Sequence, residues 1–502
     1  MGKGGNPNFL TLETKEKNVK SYNVEEKQSI PVKSEFNGKL AFAIAAAALG
    51  SAFQHGYNTG VLNNPQTLIE GFIEQVLIER TGASPTSTTV TTIWSIITSI
   101  FCVGGMVGGA ITGIVAEKFG RKGGLLLNNV LVVFAVIFMG AAKQANSYEM
   151  IIVGRFLIGI NSGLNAGLAP MYLSEISPVN LRGAIGSVYQ LVITISILVA
   201  QILGLGSILG TADHWPTLLI LTIVPAAFQL VTLPICPESP KFLLLSKNKE
   251  IEAQRALTWL RASGSVQEEM DEMRQEYEAM KILPKITVKE LVSNNALRIP
   301  LIIALVMMIA QQLSGINAVI FYSTDIFKGA GLTLQAATYA TLAIGGVNVL
   351  MTIVSVILVE KAGRKTLLLV GFGGMVIDTF LLTIALQFSE HSIVAKYMCV
   401  FLVVMFIILF ATGPGSIPWF LVSELFSQSA RPAATSLAVS INWIANFLVT
   451  IGFPTLQLAI ESARNEKQDY GRNLSDFQTT ILSVKSLVAS KLTCKYGRLC
   501  SL

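Results

Sequence analysis

Six stretches of the chain, residues 81–116, 183–212, 299–324, 329–359, 397–423 and 432–460, contain no Asp, Glu, Lys or Arg. Each is longer than the roughly 20 apolar residues that cross a bilayer core of about 30 Å. Together with the shorter apolar runs between them, they predict spans at 40–62, 90–115, 124–142, 151–172, 184–207, 217–236, 299–323, 336–359, 366–388, 397–422 and 432–458. The pattern predicts an all-α polytopic membrane protein with eleven spans.

Composition agrees. Of 502 residues, 52% are hydrophobic and 14% charged, against roughly 25% charged in a soluble domain. This excludes a soluble enzyme, a nucleic-acid binder and a disulfide-stapled secreted domain. The five cysteines have no metal-ligand or redox spacing, so no cofactor is expected. Residues 1–39 hold seven Lys and read as a polar cytoplasmic tail without a signal peptide. With the N-terminus inside and the C-terminal tail left aside, the cytoplasmic segments carry 25 basic residues, against Arg80, Lys143, Lys328 and Lys396 outside and Arg155 just inside the fourth span. The positive-inside rule therefore sets the orientation.

Residues 237–298 are the one long hydrophilic insertion, and stretches such as Glu268 to Met280 predict short amphipathic helices there. The segment divides two membrane halves that repeat. Ala116-Glu117-Lys118-Phe119-Gly120-Arg121-Lys122 recurs as Val359-Glu360-Lys361-Ala362-Gly363-Arg364-Lys365, and Pro170…Glu175…Arg182 recurs as Pro418…Glu424…Arg431. Nearly equal offsets of 243 and 249 residues imply a duplicated six-span unit, the plan of major facilitator transporters, whose site lies between the halves near the midplane. The organisation expected is a tail (1–39), an N-terminal bundle (40–236), a cytoplasmic linker (237–298), a C-terminal bundle (299–458) and an atypical tail (459–502). The repeat calls for a twelfth span near 466–485, but that window is broken by Glu466, Lys467, Asp469, Arg472, Asp476 and Lys485, so the twelfth span is expected to be missing. A tail that re-enters or lies on the membrane is the other reading.

Five motifs, Gly56-Tyr57-Asn58-Thr59-Gly60, Gly154-Arg155-Phe156, Pro237-Glu238-Ser239-Pro240, Gln311-Gln312-Leu313-Ser314-Gly315-Ile316-Asn317 and Gly413-Pro414-Gly415-Ser416-Ile417-Pro418-Trp419, stand in an order and spacing that resembles the facilitative hexose transporters, the glucose-preferring class of the sugar porters. The resemblance covers about residues 40–458. The family's closing Pro-Glu-Thr-Lys-Gly motif is absent.

A sugar site must replace water at each hydroxyl, because an unpaired buried hydroxyl costs about 1–3 kcal/mol. Amides suit this, since one side chain both donates and accepts. Seven of them, Gln190, Gln311, Gln312, Asn317, Asn348, Asn442 and Asn446, fall in four predicted spans. The plainer explanation of any single one is an interhelical hydrogen bond, worth about 0.6 kcal/mol. Gln190, Gln311, Gln312, Asn317 and Asn348 match sugar-contacting positions of the family; Ile316 lies among them, and Trp419 offers a ring for the apolar face of a pyranose. Where the family's glucose carriers usually have Glu, this chain has Ala411, which leaves fructose open beside glucose.

The resemblance assigns Glu117, Arg121, Glu175, Arg182, Glu360, Arg364, Glu424 and Arg431 to salt bridges between the bundles that latch one state. Fixing topology by positive charge is the alternative. Phe321, Tyr322 and the Gly-Pro kinks are candidates for closing the outer side. Related proton-coupled symporters pair an Asp of the first span with the Arg of the fourth; here Asn58 and Arg155 occupy those places, which implies passive uniport. His55 and Asp378 are the other ionisable groups inside spans, expected to be a packed imidazole and a snorkelling or paired acid. The function expected is facilitative uniport of D-glucose or another hexose across the plasma membrane, with a small-molecule hexose and the lipid bilayer as partners and no nucleic acid. A proton-coupled symporter and a transport-inactive variant are the alternatives, and an enzyme has no support.

Overall fold

The computed structural model describes residues 36–178, 181–263, 266–282, 286–389, 392–426 and 430–468. Among these every regular element is a helix, and no strand occurs. The first span is built from α1 (Gly38–Ala47), one π turn (Ala48–Ala52) and α2 (Phe53–Gly60). Asn37 opens it as an N-cap, accepting from the amides of Lys39 and Leu40, which satisfies two of the helix's orphan donors.

A short helix, α3 (Gln66–Thr81), follows and ends on Gly82 at φ 71°, where only glycine is unstrained. Its buried Ile69, Phe72, Ile73 and Val76 recur at helical spacing, a pattern the span-length reading passes over because the helix is too short to cross. Then come α4 (Ser87–Phe119), α5 (Arg121–Ala141), α6 (Tyr148–Ile176), α7 (Arg182–Leu203), and a sixth span formed by α8 (Trp215–Ile220) and α9 (Ile223–Thr232).

The linker forms α10 (Glu250–Arg261), α11 (Gln267–Ile282) and α12 (Val288–Ser293), as its charge-laced sequence predicts. Asn37 donates to the Leu260 carbonyl and Arg261 to that of Ile176, which ties α10 to the N-terminal bundle. Leu291 of α12 instead packs with Leu301, Val422 and Ala434 of the C-terminal bundle. The linker is shared between the halves.

The seventh span is broken: α13 (Asn295–Leu313) stops and α14 (Ile316–Gly329) restarts from Gly315 at φ 94°. After α15 (Leu334–Ala362) and α16 (Arg364–Phe388), the tenth span is broken likewise between α17 (Ile393–Thr412) and α18 (Ile417–Leu425) at the Gly-Pro-Gly. Finally α19 (Arg431–Gln468) continues ten residues past the predicted end of the eleventh span. Among the described residues ten segments are long and apolar enough to cross a membrane, and α1 with α2 supplies one more. Most of the window expected to hold a twelfth span lies outside the described residues.

Packing in the N-terminal half explains its glycines. A Cβ on Gly104, Gly108, Gly159 or Gly163 would lie 2.2–2.3 Å from a backbone oxygen of the facing helix, so α4 and α6 touch backbone to backbone, as small residues four apart allow in membranes. A buried amide chain binds the same half together. Gln54 donates to Asn129, Asn129 to Gln229 and Gln229 to Ser51, at 2.7–2.8 Å, while Asn128 donates to Asn165 at 2.9 Å. Spans one, three, four and six are thereby joined by bonds that are hard to exchange for water.

Candidate functional site

The broken helices converge on the amides. Gln311, one turn before the α13–α14 break, donates to the carbonyls of Pro414 and Gly415, both at 2.8 Å. Those carbonyls are free because the α17–α18 break removes their helical partners. The Gln311 oxygen accepts from Asn442 Nδ2 at 2.9 Å, and Asn442 Oδ1 accepts from Gln312 Nε2 at 2.9 Å. Gln312 Oε1 in turn accepts from Asn317 at 2.5 Å. Four of the seven amides named from sequence therefore form one directional chain linking spans seven, ten and eleven.

The other three stand apart from that chain. Asn446 accepts from Thr450 at 3.2 Å. Asn348 is buried, and Gln190 half-buried, with no side-chain hydrogen bond among the described residues; these amides have capacity left for a ligand. Ile316 is buried at the first turn of α14, and Trp419 stays 38% exposed on α18. Ala411 is buried in the last turn of α17.

Trp443, which sequence reasoning passed over, sits beside Asn442 and belongs to the wall between the bundles. Its ring lies 6.0 Å from His55 of α2, stacked at 25°, and 5.9 Å from Phe101 of α4. A Cβ on Gly105 would lie 2.6 Å from the indole. His55 faces Tyr189 Oη at 3.4 Å, a neighbour of Gln190. The only sequence signal for Trp443 was an aromatic next to a candidate amide.

Arg155 is fully buried. It donates to the main-chain oxygen of Asn58 at 2.9 Å and lies over the Phe101 ring at 4.5 Å. Its Nε and Nη2 have no partner among the described residues. Asp378, expected to snorkel or pair, does neither: it is 4% exposed and both carboxyl oxygens lack a partner among the described residues. It lies on α16, which packs on α17.

The described hydrogen bonds directly between the bundles all lie from mid-depth to the face where α3 lies. Asn63 donates to Ile320 O at 2.5 Å and Ser323 at 2.7 Å, and accepts from Thr324 at 2.8 Å. Thr98 and Tyr322 hydroxyls are 2.9 Å apart, and Cys102 Sγ is 4.0 Å from Thr450.

In this structure the charged motifs pair within the bundles, and no ion pair joins the two bundles among the described residues. Arg121 pairs with Glu175 at 2.8 Å and Arg364 with Glu424 at 2.9 Å, each inside its own bundle. The reason is the repeat itself, which puts the start of one helix beside the end of the next within a half. Glu117 is exposed and makes no ion pair among the described residues; Arg182 makes none either, and Arg431 reaches only the Phe426 carbonyl at 3.4 Å. The Glu360 side chain lies outside the described residues.

In the N-terminal half the pair grows into a hub. Glu175 also accepts from Ser239, and Glu238 accepts from the backbone amides of Arg121, Lys122 and Gly123 at 3.0–3.3 Å. A carboxylate at a helix N-terminus satisfies orphan donors and meets the favourable end of the dipole. Around Gly363, the equivalent position before α16, a Cβ would meet nothing within 4 Å.

Residues 43–470 match the family model described as "Sugar (and other) transporter". The chain belongs to the sugar transporter family. It is 46% identical over 416 residues to the mouse protein "Solute carrier family 2, facilitated glucose transporter member 3", covering 83% of this chain and 84% of that one. The human member 14 is likewise 46% identical over 83% of this chain and 79% of its own. Among solved structures, the partially occluded inward-open xylose transporter XylE from E. coli superposes with a TM-score of 0.72 at 21% identity, over 91% of this chain and 99% of that one. The fold is the major facilitator fold, and a member of this family is a multi-pass transporter and not an enzyme.

Proposed function

We propose that this sugar transporter carries D-glucose across the plasma membrane by passive, alternating-access uniport, binding it at Gln190, Gln311, Gln312, Ile316, Asn317, Asn348, Trp419, Asn442 and Asn446. The observation that carries this reading is the amide chain from the Pro414–Gly415 carbonyls to Asn317. It holds each amide in one orientation, so that donors and acceptors left at its ends meet hydroxyls without reorganising. It is uncharged, as a hexose requires. The similar mammalian proteins are named facilitated glucose transporters, which supports glucose as the first substrate.

The positive-charge bias puts the N-terminus and the linker in the cytoplasm and α3 outside. On that reading the bundles meet on the outer side, and the state is inward-facing. The paired residues Arg121–Glu175 and Arg364–Glu424 then act by stiffening each bundle as a rocking body. Glu117, Arg182, Glu360 and Arg431 lie at the same cytoplasmic ends, and in the outward-facing state they are candidates for contacts across the bundles. Uncoupled transport is favoured over proton symport by Asn58, whose amide cannot bind and release a proton.

The test is uptake of labelled glucose into proteoliposomes, with and without a proton gradient, for the wild type and for Gln311→Ala with Asn317→Ala. Saturable uptake in the wild type that the double variant loses supports the site. Absence of saturable glucose uptake by inserted wild-type protein would overturn the reading.

A further inference from the structure

Glu70 lies on α3, half-buried at the face where the two bundles are bonded together. It accepts from Gln66 Nε2 at 3.0 Å. The charges that reach it come from the other bundle: Asp325 and Lys328 of α14, themselves paired at 2.5 Å. Glu74, one turn along α3, is exposed to solvent. Just beneath this cluster Asn63 holds Ile320, Ser323 and Thr324, and Ile69 and Phe72 share an apolar cluster with Phe321 and Tyr322. Glu70 is therefore brought to the Asp325–Lys328 pair only when the bundles are closed on this face.

We propose that closure of the bundles on the α3 face is linked to proton uptake at Glu70, so that acid on that face favours the closed arrangement. Burial, seconded by Asp325, pushes the Glu70 carboxyl up from 4.5 to about 7, with the Gln66 bond and Lys328 opposing. Opening carries Asp325 and Lys328 away with α14 and readmits water, which returns Glu70 toward its ordinary value. The closed state therefore binds the extra proton, and whatever binds one state better shifts the population toward it. The sign follows: closure strengthens as pH falls through about 7 and gains nothing more below the ordinary carboxylate range. Between pH 7.5 and pH 6 the closed-to-open ratio should rise by about eightfold. The inference uses the orientation and the alternating motion of the reading above, but not the identity of the sugar.

The experiment measures the distance across that face by pulsed electron resonance, without sugar. Spin labels at Ala83→Cys and Gln335→Cys are placed in a full-length chain with Cys494 and Cys500 changed to Ser. The wild type should shift from the longer to the shorter distance between pH 7.5 and pH 6, while Glu70→Gln, neutral at both, should stay mostly closed and unchanged. A wild-type distribution that is the same at both pH values, or a Glu70→Gln chain that keeps the wild-type shift, overturns the proposal. If Glu70→Gln does not reach the membrane, Glu70→Ala gives the same comparison.

Discussion

Arg155 donates to the main-chain oxygen of Asn58 at 2.9 Å, and among the described residues no carboxylate meets the edge of the guanidinium formed by Nε and Nη2. A buried cation without a counter-charge is costly, so its retention beside an amide rather than an acid is informative. The Asn58 side chain is already committed, donating to Gln54 O and to Thr222 Oγ1 at 2.8 Å. An amide has no proton to take up and release near neutral pH, which supports the uncoupled reading.

An imposed proton gradient should therefore not drive accumulation. In proteoliposomes with acid outside, internal sugar should level off at the external concentration, and an uncoupler should leave that plateau unchanged. Acid slowing the approach to the plateau is compatible with the Glu70 linkage, since a shifted equilibrium alters rate and not the end point. Accumulation above the external level that an uncoupler abolishes would instead make the chain a symporter.

Asn442→Ala removes the centre of the amide chain. It leaves the Gln311 oxygen and the Gln312 Nε2 without the partners they hold at 2.9 Å. An unsatisfied buried polar group costs about 1–3 kcal/mol, and each 1.4 kcal/mol is about tenfold in affinity. Sugar affinity should fall by about tenfold to a hundredfold, read from equilibrium binding. Asn446→Ala, which loses only a 3.2 Å bond from Thr450, should cost less unless the amide itself touches sugar.

Gly105→Ala should move the conformational balance. Its Cβ would sit 2.6–2.7 Å from the Trp443 ring atoms, and the indole is also held by His55 and Phe101, so it has little room to retreat. The clash exists only while the bundles are together. The variant should therefore populate the state open on the α3 face more than the wild type, measured as a longer distance across that face at pH 7.5. Gly346→Ala, where a Cβ meets nothing within 4 Å, is the matched control.

The sequence made the membrane fold readable because runs without charge are long and the two halves repeat their cytoplasmic motifs. It also made Gln311, Gln312, Asn317 and Asn442 readable, because amides are rare enough among apolar residues to stand out. What it concealed depends on partners far apart in the chain. The Glu238 carboxylate reaches amides more than 110 residues away, and no spacing rule connects them. The ionic motifs were legible as repeats but not as pairs, since a pattern shared by both bundles does not say whether its charges meet within or between them. Asp378 fails for a different reason: its burial without a partner runs against the rule that charges in membranes are paired or reach water.

The Glu238 hub gives the last prediction. Its carboxylate serves three amides at the start of α5, beside the Arg121–Glu175 pair whose side chains are only 16% and 13% exposed. Losing a helix cap costs about 0.5–2 kcal/mol, and Glu238→Ala removes all three bonds from the start of α5 while leaving the Ser239–Glu175 bond in place. The variant should melt at a lower temperature than the wild type in detergent. Glu238→Gln keeps an acceptor oxygen but gives up the charge, so its loss should be smaller. The corresponding C-terminal site offers an internal comparison: Gly363→Ala adds a Cβ that meets nothing but strains a backbone at φ 77°, whereas Gly120→Ala, at φ 82°, adds a clash with Glu238 at 2.4 Å. Gly120→Ala should therefore be the more destabilising of the two, and equal melting temperatures would remove Glu238 from the account of how the N-terminal bundle is held.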